Sequence, residues 1–443
     1  MHSKLLFIFL LNISFSQALL NRAIGGEELF GSAKSFSMGF THSINANNSS
    51  IVRYNPSLLS YNSKGSSIVF DIQINNKLLK ERRSILVKDY FGDFLTYADY
   101  LNNNNIYHSF QGGFQTNINN TYGFGISLLP LASFNYDYIE EIRGDAPSQD
   151  GEVVFRDPLV GYHIFNTEGI LQSLSIGTSF SYSNSLNNFN VGLGYHYILD
   201  TEVKNDLHVD SLTTQIQNIS LVDDYKSSQK FNNIGDYFSI GLTSITNDLL
   251  LSFVFESDFL IQTNNQPINF IDSLGTISYI NDFIDLNANE ELGYGVDSTI
   301  FESLNHYKPQ KIIFGINYNP KNNKDLTVSL EIETNKVMNN DNTYLKDYDV
   351  FKLGFEYLLP NSTPIRAGIV YKTSPIILIP EQAIFTFGTG GSFKHIIYDL
   401  GMSYSTFDYF YSDLFSVEGD QLTGFDKINE SNLSTIFTIG YKF

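Results

Sequence analysis

The sequence contains no cysteine and no tryptophan, and only 17% of its 443 residues are charged. Without cysteine there is no disulfide framework and no thiolate metal site. Lys and Arg number 27 against 47 Asp and Glu, a formal charge of −20, which leaves no basic face for nucleic acid. Long apolar runs are also missing. After the N-terminus no stretch reaches ~18 apolar residues, which excludes a helical membrane protein. Eight His are scattered without metal-ligand spacing, and neither a Gly-x-Ser-x-Gly elbow nor a phosphate loop occurs. The stretch from Asp285 to Glu290 begins like a calcium loop, but Glu290 stands where the sharp turn needs Gly. No catalytic residue, metal ligand or cofactor is expected.

What the chain has instead is aromatic and small: 28 Tyr, 37 Phe and 32 Gly, with much Ser and Asn. Its N-terminus reads as a signal peptide over residues 1–16. Lys4 is the positive residue, Leu5 to Leu11 the apolar region, and Ser14 and Ser16 the small residues at −3 and −1. Cleavage after Ser16 removes Lys4 and takes the mature charge to about −21.

Downstream, period-two alternation dominates. Leu433, Thr435, Phe437, Ile439, Tyr441 and Phe443 share one face, and Ser434, Ile436, Thr438, Gly440 and Lys442 share the other. Likewise Tyr122, Phe124, Ile126 and Leu128 alternate with Gly123, Gly125 and Ser127. A soluble sandwich needs bulk on its inner face, whereas a wide barrel tolerates Gly and Ser facing its lumen. The pattern predicts fourteen strands at 67–76, 107–117, 121–134, 171–183, 188–199, 234–245, 248–260, 310–320, 325–335, 348–359, 363–374, 382–392, 395–406 and 433–443. Tight turns at Asn119-Asn120, Ser185-Leu186, Thr246-Asn247, Lys321 to Lys324, Asn361-Ser362 and Phe393-Lys394 alternate with mostly longer connections. That asymmetry suits a transmembrane antiparallel β-barrel with short turns on one side and external loops on the other. Residues 67–443 form the barrel. Residues 17–66 lack clear alternation and either plug the lumen as a hatch or hang below it.

The segment Ser32-Ala33-Lys34-Ser35-Phe36-Ser37-Met38-Gly39-Phe40, followed by Asn48 to Leu59 with Asn55-Pro56-Ser57-Leu58, resembles the opening motif of the FadL family. The related PorV-like barrels of the type IX secretion system share that motif. Ser57 replaces the usual Ala, and His42 sits where a small residue is common. Lys308-Pro309 leads strand eight, Lys352 to Tyr357 is similar to the family's LGxEY strand, and Pro364 to Tyr371 to its PxRxGxxY strand. The likeness covers most of the mature chain through short motifs in the right order. It implies a fourteen-stranded barrel of the bacterial outer membrane with an N-terminal hatch inside the lumen, marked by Met38, Gly39, Asn55 and Pro56. It also implies passive uptake of hydrophobic small molecules such as long-chain fatty acids, which collect among external loops and leave sideways at a kink in strand three. PorV-like members instead bind exported proteins, and that is the alternative function. Expected partners are outer-membrane lipid and a hydrophobic small molecule, or an exported protein in the alternative. Nucleic acid is not among them.

Three features carry that expectation to residues. Pro130 in strand three cannot donate to the ladder, so it marks either a lateral opening or a strand end where pairing fades. In the third and fourth external loops, Leu212, Ile216 and Ile219, and Ile277, Ile280, Phe283 and Ile284, fall at helical spacing and either collect a hydrophobic ligand or cap the barrel. A third candidate helix, with Val87, Tyr90, Phe91, Phe94, Ala98 and Leu101, packs over the rim. Finally, Glu331, Glu333, Lys352, Glu356, Arg366, Lys372, His395 and Asp399 fall on lumen-facing phases of strands nine to thirteen. They form either a salt-bridged wall or, through Arg366 or Lys372, a ligand-carboxylate site.

Overall fold

A computed structural model describes residues 26–27, 30–61, 67–143, 159–184, 187–211, 225–231, 235–264, 271–272, 275–276, 305–337, 346–375, 380–411 and 426–443. Fourteen strands form the wall: β1 (Ser67–Lys88), β2 (Phe94–Ile118), β3 (Tyr122–Ser133), β4 (Ile170–Ser183), β5 (Asn188–Ile198), β6 (Tyr237–Ile245) and β7 (Leu249–Glu256), then β8 (Gln310–Tyr318), β9 (Leu326–Lys336), β10 (Tyr348–Leu358), β11 (Pro364–Lys372), β12 (Gln382–Phe393), β13 (Ile396–Tyr411) and β14 (Asp426–Lys442). Each is antiparallel to its neighbour in sequence, and β14 pairs with β1 from Lys442 opposite Val69 to Lys427 opposite Ser84, so the ring closes. Closure leaves no edge to solvate, which is what a sheet immersed in hydrocarbon requires.

Side-chain alternation explains why these segments are strands of a barrel and not of a sandwich. Outward positions such as Phe70, Ile72, Phe314, Phe355, Leu400 and Ile439 are exposed aromatic or aliphatic residues. Inward positions are buried and mostly Gly, Ser, Thr, Asn or charged, such as Ser127, Ser175, Ser239, Glu331 and Thr386, with aliphatic residues such as Val350, Val370 and Ile436 among them. The tight turns match their chemistry. Asn119 and Asn120 both have positive φ in the three-residue turn between Ile118 and Tyr122, where the Thr121 N–H donates to the Ile118 carbonyl at 3.0 Å, and Asn tolerates that backbone conformation. Ser185 and Leu186 lie outside the described residues.

At the opposite end the structure departs from the sequence expectation in two ways. The helix expected over Val87 to Leu101 is a hairpin: β1 runs on to Lys88, and β2 starts at Phe94. The helical spacing of its apolar residues is overridden by a turn. The Asp89 carboxylate accepts from the N–H groups of Phe91 and Asp93 at 2.9 Å each, and Gly92 takes a φ of +88° that a side chain would resist. The second departure is that the long connections contain strands. Tyr136–Arg143, Leu159–Glu168, Thr201–Ser211, Tyr225–Phe231, Phe259–Asn264 and Asn305–Lys308 form a second, six-stranded sheet at the rim. Each continues a wall strand from β3 to β8 after a break at residues such as Asn135, Gly169 and Pro309.

Residues 30–60 lie inside the barrel, folded into three one-turn helices (Ala33–Ser37, His42–Asn45, Ile51–Tyr54) and a 3-10 turn (Pro56–Ser60). They fill the space that inward glycines leave. A Cβ on Gly354 or Gly368 would collide with Met38 or the backbone of Gly39, and Gly39 itself has φ +68°. The inward Gly and Ser of the wall are therefore a mould for the inner segment and not the lining of an open channel. Phe36, Phe40 and Ala33 pack on Val350, Val370, Ile384 and Ile436, while Ile44, Ile51, Val52, Leu58 and Leu59 pack with Ile245 and Leu250.

Candidate functional site

β3 leaves its neighbour partway up the wall. It pairs with β2 only from Ile118 opposite Tyr122 to Gly112 opposite Leu128. Above that level β2 keeps its pairing to β1, and β3 keeps its pairing to β4, but the two do not meet. The strict alternation of exposed and buried residues along β3 stops at the same place: Leu129, Pro130, Leu131 and Ala132 are all buried. The register against β4 slips there, with Pro130 opposite Gln172 and Ala132 opposite Leu171, so Leu131 is an extra residue in the strand. Proline has no N–H to give to a partner, and a bulge bends the strand that holds it. Pro130 thus stands where the wall parts and β3 turns inward.

Two residues of the N-terminal segment occupy the freed edge. Gly26 pairs with Ser133 and Glu27 with Ala132, antiparallel to β3. Beside them a small cleft opens between β2 and β3, lined by Asn75, Lys77, Leu79, Tyr107 and Ser109 on one side and Gly26, Ser133 and Ile170 on the other. The gap is bridged by side chains: Asn105 donates to the carbonyl of Asp137 at 2.6 Å, and the N–H of Asp137 donates to Tyr107 Oη at 3.0 Å.

The short N-terminal strand is anchored across the lumen. The Glu27 carboxylate accepts a hydrogen bond from Lys311 of β8 and lies 3.6 Å from Lys372 of β11. Burial raises the Glu27 carboxyl, but Lys311 and Lys372 more than offset this and hold it well below the usual carboxylate range. From these lysines an ion network spreads around the inner wall. Lys311 reaches Glu333 at 3.6 Å, and Lys352 donates to Glu331 and Glu333 at 2.7 Å each. Arg366 donates to Glu356 and Asp399 at 2.6 Å each. The charges predicted on lumen phases are brought together with one exception. His395 is exposed in the turn before β13, where it stacks near Tyr441; β13 starts one residue later than the alternation suggested.

Above the inner segment, Leu131, Ala132, Phe134, Leu171, Ile198, Val203, Tyr237 and Phe259 form a buried apolar cluster directly behind Pro130. Arg53 of the inner segment is buried, and its Nε and Nη1 have no hydrogen-bond partner among the described residues. Leu212, Ile216, Ile219, Ile277, Ile280, Phe283 and Ile284 lie outside the described residues. Met38, Gly39, Asn55 and Pro56 are all in the inner segment, where Asn55 acts as a rivet. Its Nδ2 donates to the carbonyl of Ser43 at 2.6 Å and reaches Thr243 and Ser252 at 3.3 Å, while its Oδ1 accepts from Ser57. Glu27, Arg53 and Lys311 were missed. Lys311 shares an inward phase with Ile313 and Gly315, which was a readable signal, but Glu27 sits in a segment with no period to read.

No protein-family model and no curated protein matches the chain. Among solved structures, a Pseudomonas aeruginosa FadL homologue is similar over 95% of this chain and 99% of its own, with a TM-score of 0.58 at 14% identity. The P. putida toluene transporter TodX is similar over 94% of this chain and 99% of its own, with a TM-score of 0.51 at 15% identity. At such identity the likeness speaks for the fold alone, and the fold is that of the FadL-type fourteen-stranded barrels.

Proposed function

We propose that the protein is a bacterial outer-membrane channel through which hydrophobic small molecules pass without cofactor or energy input. The observation that carries this is the parted wall between β2 and β3, with a two-residue strand of the N-terminal segment seated on the freed edge of β3. A filled lumen blocks straight passage, so a solute entering at the rim needs a side exit. In this reading residues 30–60 are the hatch, Gly26 and Glu27 are the movable closure, and the apolar cluster behind Pro130 receives the solute. An apolar molecule leaving there enters hydrocarbon and never crosses the aqueous lumen below. Long-chain fatty acids and monoaromatic hydrocarbons, such as the toluene of the transporter TodX, are the first candidates. The test is native mass spectrometry of the detergent-extracted barrel, followed by uptake of a labelled fatty acid and of toluene into cells with and without it. A copurified lipid or hydrocarbon and barrel-dependent uptake are expected; a barrel that changes neither uptake is not this channel.

A second reading, binding of exported proteins, draws on the tip of the β1–β2 hairpin. Tyr90 and Phe91 are 95% and 84% exposed there on a turn held by Asp89. The same extraction separates the two readings, because a protein cargo in place of a lipid favours the second.

A further inference from the structure

On four adjacent strands the outward residues change character at one level. β2, β1, β14 and β13 lie side by side, and their register places Ile106, Leu78, Leu433 and Tyr404 in one row across the wall. The next row is Asn104, Lys80, Ser431 and Thr406; the one above it is Asn102, Arg82, Asn429 and Asp408. One row higher, Lys427 faces outward beside Phe410. Below the switch the face is apolar down to Ile68 and Phe443, apart from Thr116 opposite Ile68 at the foot and one row in which His108 pairs with Asn76 next to Thr435.

The heights of these rows follow from strand geometry. From Ile68 to Leu78 is ten residues, and ~3.3 Å per residue at a tilt of ~40° spans about 25 Å, the height of the apolar band of membrane barrels. The Leu78 row is then the outer limit of hydrocarbon. Lys80 and Arg82 stand about 5 and 10 Å above it, at the level of lipid headgroups.

We infer that this outward face of β2, β1, β14 and β13 binds the phosphorylated sugar headgroup of an outer-leaflet lipopolysaccharide, with Lys80, Arg82 and Lys427 on phosphate and Asn102 and Asn104 on sugar hydroxyls. Arg82 lies 3.3 Å from Asp99, and Lys427 lies 3.0 Å from Asp408. Those carboxylates orient the two cations without consuming every donor, since a guanidinium presents a fork of N–H groups. Three cations against two carboxylates leave the patch positive in a chain whose overall charge is −20. Charges more than ~8 Å away are screened at physiological salt, so the local sign decides what the face attracts. Lipid of the outer leaflet must lie against the apolar rows, and its headgroup therefore meets the polar rows without any further movement.

The inference rests on the outer-membrane reading, and its test keeps the two apart. The barrel is extracted in mild detergent from outer membranes, and binding of deep-rough lipopolysaccharide, intact or dephosphorylated, is measured by thermophoresis. The triple variant Lys80→Gln, Arg82→Gln, Lys427→Gln is expected to bind the intact lipid at least about tenfold more weakly, as losing charged hydrogen bonds requires. Dephosphorylated lipid should bind the wild type no better than intact lipid binds the variant. A control, Lys321→Gln with Lys336→Gln, removes exposed cations elsewhere and should leave affinity unchanged. Heat-modifiable electrophoretic migration checks that each variant is a folded barrel. Equal binding by triple variant and wild type, or indifference to the phosphates, overturns the headgroup site alone. Recovery of the wild-type barrel outside the outer membrane overturns the location beneath it.

Discussion

Replacing Glu27 with Gln leaves Lys311 and Lys372 without the carboxylate that lies between them. Removing one partner of a buried ionic contact strands the other, at a cost of about 3–5 kcal/mol in fully buried cases. Lys311 retains Glu333, which places this case at the low end. The loss falls on the N-terminal strand: hydrogen exchange at residues 26–27 should quicken markedly in Glu27→Gln while exchange in β9 and β10 stays slow. Unchanged exchange at the N-terminus would mean that the anchor is not Glu27. The pH dependence has a definite sign. A carboxyl whose folded pKa is depressed stabilises fully above its unfolded value, about 4.3, and loses that contribution as pH falls through the folded value. The protection factor of this strand, exchange corrected for the intrinsic pH dependence of amide exchange, should therefore be flat from pH 8 to 5 in respect of Glu27 and fall only in stronger acid. Asn55→Ala should destabilise the inner segment by about 2–4 kcal/mol, because it leaves the Ser43 carbonyl and the Ser57 N–H short of buried partners. A lowered temperature of heat-modified migration checks this, and an unshifted temperature refutes it. Glu331, Lys352, Glu356, Arg366 and Asp399 were legible in the sequence because strand phase alone assigns them inward. Their shared partners were less so: Lys34, which reaches Glu356 at 3.5 Å, and Glu27 come from a segment whose order is imposed by the barrel around it.

At the scale of elements, β4 to β12 were readable to within a few residues, because one lipid-facing side and one buried side force a period of two. β1, β2, β13 and β14 were read too short. Above the hydrocarbon their outward residues turn polar, and the inward ones, such as Glu81, Arg83 and Glu430, are charged as well, so hydropathy contrast vanishes while backbone pairing continues. Arg83 and Glu81 pair at 2.8 Å beneath Tyr136 and Tyr138, a buried cluster that period-two reading has no means of finding. Strand three is the case where a single residue was informative. Pro130 was read as either an opening or a fading end, and the structure puts the bulge and the parting of β2 from β3 next to it. Pro130→Val restores an N–H and a side chain suited to a strand, which favours straight pairing. Uptake of a labelled hydrophobic substrate should fall several-fold in cells carrying Pro130→Val at equal barrel abundance. Uptake equal to wild type would separate the kink from transport.

For the whole molecule, the absence of cysteine from all 443 residues permits a direct trial of the side exit. Gly26 and Ser133 are paired positions on neighbouring antiparallel strands, where Cα atoms lie about 4.5–5.5 Å apart, within disulfide reach. In the double variant Gly26→Cys, Ser133→Cys the only possible intramolecular disulfide staples the N-terminal strand to β3, leaving the ring of fourteen strands untouched. If solute leaves between β2 and β3, the oxidised variant should take up hydrophobic substrate as slowly as cells lacking the barrel, and reductant should restore the rate. Each single-cysteine variant should behave as wild type in both conditions, which separates the staple from the substitutions. Uptake that persists in the fully oxidised variant would place the exit elsewhere and leave the parted wall as a seat for the N-terminal strand alone. Because the lumen is filled from Phe30 to Ser60 by buried side chains, a second route would then require the inner segment itself to move. That alternative has its own signature: exchange would be fast across residues 30–60 with the N-terminal strand still stapled.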